Sequence, residues 1–261
     1  TADVKRQLAE TFRPAPGQSI EEKLEDIYRF FMHDVHYIRG RPELQIAFDL
    51  VWHSILTFDF LGQPVRKGWL EGLVLGDTSQ GKTELTTRMR DWYNLGARIT
   101  GEKTSSAGLV GGLQKMGDRW ILQWGAYPQQ DRRAILIDEY SSLSEEDIAN
   151  MTDLRSTGVA EIVKVRTEKT HARVRALLCS NARSGRMLRS YMHCITAIKE
   201  LMGKSEDIRR LDFALVVASG EVSLDLINAS KSTLPMSAME YSREACKNLV
   251  LYAWSRNMHP K

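Results

Sequence analysis

The stretch GDTSQGKT, from Gly76 to Thr83, fits the pattern G-x-x-x-x-G-K-[ST] at every fixed position. No other feature restricts the folding of this chain as strongly. The short apolar run LEGLVLG leads into it, and a helical pattern starts near Lys82. Gly76 and Gly81 let the backbone turn tightly, so that the N–H groups of Asp77, Thr78, Ser79 and Gln80 face phosphate oxygens. The N-terminus of the following helix adds partial positive charge beneath them. Lys82 is expected to bridge the β- and γ-phosphates of a nucleotide, and Thr83 to give its hydroxyl to Mg²⁺. A strand before the loop and a helix after it favour a nucleotide site over a structural turn.

Three further apolar runs read as buried strands. RRAILIDEY carries Asp138 and Glu139 at its C-terminal end. Asp138 is expected to complete the Mg²⁺ site, and Glu139 to polarise an attacking water. An adjacent acidic pair points to ATP hydrolysis rather than transfer to a substrate hydroxyl. LLCSN ends at Asn181, whose amide is suited to orienting the lytic water. LDFALVVAS follows the pair Arg209 and Arg210. Arg210, with Arg209 as alternate, is expected to reach the ATP of a neighbouring subunit; a plain surface pair is the competing reading.

Helical patterns separate these strands. SIEEKLEDIYRFFMHDV has Ser19 as cap, Glu22 three residues on, and an apolar face of Ile20, Leu24, Ile27 and Phe31. RPELQIAFDLVWHSILTF has Pro42 in its first turn. SEEDIANMTDL starts near Ser144, and SREACKNLVLYAWSRN groups Ala245, Leu249, Tyr252 and Ala253. Strands alternating with helices argue for a parallel sheet covered on both faces. Residues 1–18 read as a tail and Pro/Gly linker.

Composition narrows the setting. The net charge of +3 is too mild to announce a nucleic-acid binder. No apolar run of 18 residues is present, so no membrane partner is expected. The polar opening TADVKRQLAE is not expected to be a secretory signal. Cys179, Cys194 and Cys246 lack zinc or disulfide spacing and suit reduced, buried thiols in a cytoplasmic or nucleoid-associated protein. His33 and His36 are too few for a metal site. Charge is concentrated instead in EIVKVRTEKTHARVRALLCSN, which reads as two β-arms around the polar tip RTEKT. Lys164, Arg166, Lys169, Arg173 and Arg175 lie along it and are suited to tracking DNA phosphates without reading sequence. A solvated hairpin face is the alternative. Trp120 and Trp124 suit packing better than base stacking.

Taken in order, these segments resemble the AAA+ core of the minichromosome maintenance (MCM) replicative helicases, from about Ile38 onward. KTSSAGLVGGL resembles the family's Ser-Ser-Ala…Gly-Leu-Thr-Ala stretch that opens its helix-2 insert. GDRWILQWGAYPQQD resembles the segment leading to Cys-Ile-Asp-Glu-Phe, which here reads LIDEY. HARVRALLCSNARSGR resembles Asn-Ala-Arg…Ala-Ala-Asn-Pro…Gly-Arg, with Ala182 where the family usually has Pro. RRLDF resembles Ser-Arg-Phe-Asp-Leu and aligns Arg210 with the arginine finger; LVLYAWSRNMHPK resembles the lid helix.

The resemblance implies a P-loop AAA+ αβα sandwich with a parallel central sheet, a helix-2 insert tipped by MGDR and a pre-sensor-1 hairpin. It divides the chain into an ATPase core at 19–225 and the truncated beginning of a helical lid at 226–261. It gives Asn181 the sensor-1 role. It implies ATP and Mg²⁺, with DNA contacts from Lys164, Arg166 and Lys169. It also implies a homo-hexamer of the full-length protein, although a chain of this extent can remain monomeric. Two other readings stay open: an AAA+ remodeller of proteins, and a scaffold subunit that binds nucleotide without hydrolysing it.

Overall fold

The computed structural model describes residues 2–164 and 167–256. Its strands are β1 (Phe58–Phe60), β2 (Gln63–Val65), β3 (Glu71–Gly76), β4 (Ala97–Thr100), β5 (Gly111–Met116), β6 (Arg119–Trp124), β7 (Ala134–Asp138), β8 (Val159–Val163), β9 (Thr167–His171), β10 (Arg175–Ser180) and β11 (Phe213–Val217). Five of them form one sheet in the order β11-β3-β10-β7-β4, and every neighbouring pair in it is parallel. The rest pair as antiparallel hairpins: β1 with β2, β5 with β6, and β8 with β9.

Strands β3, β7 and β10 are buried along their whole length. That is why they read as unbroken apolar runs rather than alternating ones. Their side chains still alternate between two cores. Leu73, Leu75, Ile135, Ile137 and Leu178 enter one, while Val74, Leu136, Leu177 and Cys179 enter the other. The second core is closed by α3 (Pro42–Trp52), α4 (Lys82–Tyr93) and the helix Arg243–Ser255, which contribute Phe48, Trp52, Leu85, Met89, Cys246 and Val250. Here Phe48 stacks on Trp52 with ring centroids 4.0 Å apart. The chain is therefore an α/β sandwich around a parallel sheet.

Topology positions the site. All five strands run the same way, so their C-terminal ends share one edge. β10 lies between β3 and β7, which sets Asn181 between the loop after β3 and the acids after β7, about 4.8 Å from each neighbouring strand.

Several elements depart from the sequence reading. The polar opening, expected as a tail, contains the helix α1 (Ala2–Phe12), which lies against the helix Arg243–Ser255. Its one buried residue, Leu8, is too weak a signal to reveal it. α2 (Ile20–Phe30) has the expected capping box between Ser19 and Glu22, but not the expected face. Ile20 and Leu24 are exposed, while Lys23, Asp26 and Phe30 are buried. Asp26 turns the helix: its carboxylate accepts from Tyr241 Oη at 2.7 Å and Ala238 N–H at 2.7 Å. Lys23 lies 4.8 Å from the centre of the Tyr241 ring. Paired polar groups outweigh two isoleucine- and leucine-sized side chains here.

The helix Arg243–Ser255 buries Ala245, Cys246 and Val250, one position out of phase with the expected stripe. The pattern SEEDIANMTDL breaks at Met151 into Glu145–Asn150, capped by Ser144, and Thr152–Thr157.

Candidate nucleotide site

β3 ends at Gly76, and the chain turns through Asp77–Gly81 into α4. Two contacts require the glycines. A Cβ at 76 would lie 2.7 Å from Lys82 Cδ, and one at 81 would lie 2.9 Å from Ile38 Cγ2, with Gly81 at φ +81°. Ser79 also takes a left-handed backbone, at φ +61°. Such strain persists only where the surroundings hold it. The hold comes from Asp77, whose carboxylate accepts from Leu188 N–H and Ser219 N–H, each at 2.8 Å. Asp77 is thus a brace of the loop through its side chain. Arg41, 4% exposed, ties Gln80 Oε1 to the Ala218 carbonyl, both at 2.9 Å.

The loop, with Asp138, Glu139 and Asn181, lines a cleft of about 410 Å³. Lys82 Nζ donates to the carbonyls of Gly76 at 2.9 Å and Asp77 at 2.6 Å, and to Asn181 Oδ1 at 2.9 Å. Burial pulls its ammonium below the ordinary lysine range, opposed by Cys179, Glu139, Asp138 and Asp77. Thr83 Oγ1 donates to Asp138 Oδ1 at 3.0 Å. Asp138 Oδ2 meets Arg98 Nη2 of β4 at 2.7 Å, a pairing that sequence reasoning missed. Glu139 sits at φ +51°, and Gly101 abuts it so closely that a Cβ there would lie 2.3 Å from the Glu139 carbonyl oxygen. The Glu139 carboxylate lines the cleft without an ion pair among the described residues.

The donors suit a magnesium triphosphate. A hydroxyl and a carboxylate at 3.0 Å are hard oxygen ligands of the kind Mg²⁺ takes. The first N–H groups of α4 have no carbonyl within the helix to bond. Those of Gly81, Lys82 and Thr83 donate to no other group among the described residues.

Arg210 lies elsewhere. β11 is parallel to β3, with Phe213 paired to Gly72 and Val217 to Gly76. Arg209 and Arg210, preceding β11, therefore stand at the N-terminal edge of the sheet, while Lys82 stands at the C-terminal edge. Four strand residues separate the two ends, about 13 Å. Arg210 Nε is buried without a partner among the described residues, beside a cavity of about 440 Å³ that Lys67, Glu206, Arg209 and Asp212 also line.

The basic arm divides. Lys164 is exposed next to the end of β8, and Arg166 lies outside the described residues. β8 ends at Val163 and β9 begins at Thr167, so TEKT of the expected tip lies in the second strand. Lys169 pairs with Glu161 across that hairpin at 3.1 Å. Arg173 grips both oxygens of Asp131, at 3.0 and 2.7 Å. Arg175 is fully buried in β10, donating to the carbonyls of Ser54 at 2.5 Å and Arg132 at 2.7 Å and lying 4.6 Å from the Trp254 ring centre. Arg173 and Arg175 are thus framework cations, not part of a hairpin face. In the other hairpin, Gly117 makes the turn, Trp120 is 40% exposed and Trp124 packs against the core.

Residues 62–219, more than half of the chain, match the MCM P-loop domain. The chain belongs to this family. This MCM P-loop domain is 30% identical over 131 residues to "Probable DNA helicase MCM9" of Arabidopsis thaliana. The match takes in 49% of this chain and 20% of that protein, so the chain spans about a fifth of the length of the curated relative it matches. No described helix is long and apolar enough to cross a membrane.

Proposed function

We propose that this MCM P-loop domain is the ATP-hydrolysing motor of a hexameric ring that translocates on DNA and unwinds duplex during replication. The observation that carries this reading is the split between the two edges of the sheet. Lys82, Thr83, Asp138, Glu139 and Asn181 converge at one edge, and Arg210 stands at the other, out of reach of its own cleft. A ring that brings one copy's N-terminal edge to the next copy's cleft joins the two halves.

In this reading the loop N–H groups and Lys82 bind the triphosphate, with Lys82 leaving the Gly76 and Asp77 carbonyls for phosphate oxygens. Thr83 and Asp138 hold Mg²⁺, which when bound offsets charge on the phosphates. Glu139 accepts the proton of the attacking water, and Asn181 orients that water. Arg210 of the adjacent copy stabilises charge on the γ-phosphate, a contribution of about 10³ to 10⁵ in rate for such residues. Lys164, at the exposed hairpin end, contacts DNA phosphates; Lys169 joins it by exchanging Glu161 for phosphate, and Arg166 extends the same stretch. Residues 19–225 make up the ATPase core, 1–18 precede it, and 226–261 begin the lid.

The test is ATPase and forked-duplex unwinding by a longer, ring-forming form of the protein, with and without single-stranded DNA. Lys82→Ala is expected to abolish both activities. Unwinding that survives the substitution sinks the proposal. Stimulation by a protein substrate instead of DNA favours a remodeller, and an assembled ring without turnover favours a scaffold.

A further inference from the structure

Asp138 is shared between two kinds of partner. Its Oδ1 accepts from Thr83 Oγ1 at 3.0 Å and from Glu139 N–H at 3.1 Å, while its Oδ2 is held by Arg98 at 2.7 Å. Lys82 spends its donors on Gly76, Asp77 and Asn181, so Arg98 is the ion-pair partner of Asp138 among the described residues. The Asp138 side chain is 5% exposed and that of Arg98 is 34%.

The pairing is built into the sheet. Arg98 stands opposite Leu136 and Thr100 opposite Asp138, so Arg98 and Asp138 project from the same face of neighbouring strands. β4 is an edge strand, and Gly101 after it is pressed against the Glu139 carbonyl. The base of the Arg98 side chain is therefore fixed relative to the acidic pair, while its outer end reaches solvent.

Charge count then matters. An oxygen site for a divalent cation gains affinity with each negative ligand. A carboxylate already neutralised by a guanidinium gives a lone cation little reason to stay. A triphosphate brings its own negative charge, and a guanidinium nearby favours it even without metal.

We propose that Arg98 neutralises Asp138 so that the Thr83–Asp138 seat takes a divalent cation only together with nucleotide phosphates, and that Arg98 supports nucleotide binding when no metal is present. This rests on reading the cleft as a nucleotide site. Arg98 acts through Asp138 as a positioning residue, not a catalytic one.

Two equilibrium measurements on the chain test it. One is Mn²⁺ binding without nucleotide, by electron paramagnetic resonance. The other is the ratio of the Kd for a fluorescent N-methylanthraniloyl ATP in EDTA to its Kd in Mg²⁺. Removing one positive charge beside the seat, in Arg98→Gln or Arg98→Met, is expected to tighten Mn²⁺ binding and widen the Kd ratio, each by about tenfold. Arg98→Lys is expected to restore both toward wild type. Circular dichroism checks that each variant folds, and having two neutral variants keeps the test open if one does not. A ratio that is unchanged or narrower in a folded neutral variant overturns the role of Arg98 while leaving the nucleotide site intact. Wild-type protein that binds no nucleotide under either condition overturns both.

Discussion

The two edges of the one sheet are built in opposite ways. At the C-terminal edge the polar groups hold one another: Lys82 with Asn181, Thr83 with Asp138, and Asp77 with the N–H groups of Leu188 and Ser219. At the N-terminal edge, Arg155 and Glu71 make a buried pair, but among the described residues Arg155 Nη1 and Arg210 Nε are buried without an acceptor, and Arg209 is exposed. A buried donor left unpaired costs free energy. An arrangement complete within one chain therefore faces one that gains from an acceptor outside it.

The sharpest way to break this comparison is Arg210→Ala in an assembled ring. Turnover of ATP is expected to fall about 10³-fold, with nucleotide affinity nearly unchanged. Rings that mix Arg210→Ala with Lys82→Ala copies should regain turnover, because an intact cleft of one copy then meets the intact arginine of its neighbour; mixed rings as inactive as either parent would remove the role across the interface.

The next effect concerns the buried pair of Arg155 and Glu71. Arg155→Met leaves Glu71 charged and buried, which is expected to cost about 3–5 kcal/mol in urea unfolding. Replacing both Arg155 and Glu71 with Met should cost far less. Equal losses in the single and double variants would show that the pair is not what anchors the edge.

A smaller effect arises behind the P-loop. His36 is fully buried, and its Nδ1 accepts from Ile38 N–H at 3.0 Å, leaving Nε2 to face Gln45 Oε1 at 3.4 Å. Burial lowers its pKa from 6.5 to about 4. The unfolded chain therefore binds this proton more readily, and the stability contributed above pH 6.5 is lost as pH falls toward 4. About 2 kcal/mol should be gone at pH 5 relative to pH 7.5. His36→Gln should flatten that part of the pH dependence, and an unaltered slope would assign it to other groups.

The smallest is a control outside both edges. Ser19→Ala removes the α2 cap and should cost about 1 kcal/mol in thermal unfolding, with nucleotide affinity untouched. A change in affinity would mean that the cleft is less self-contained than its hydrogen bonds imply.

Much of the C-terminal edge was legible in the sequence because its groups fall at fixed offsets in short segments. GDTSQGKT, LIDEY and LLCSN each end a buried strand, and a parallel sheet brings such ends together. Arg98 was not legible: its role depends on which strand pairs with β7, and ARIT contains no motif. Nor was the sorting of the basic arm. Lys164, Arg173 and Arg175 look alike in a charge pattern, but Arg173 meets Asp131 only through folding, and Arg175 meets Ser54 and Trp254 from distant parts of the chain. The face of α2 was misread for a similar reason, since Asp26 finds Tyr241 across 215 residues.

Arg175 has a mechanical consequence. One guanidinium fastens the exit of α3, the approach to β7 and the helix Arg243–Ser255 to the foot of the middle strand. Sliding β10 past its neighbours would tear all three attachments together. Shear of the sheet at that foot is therefore opposed by more than the bonds between its strands.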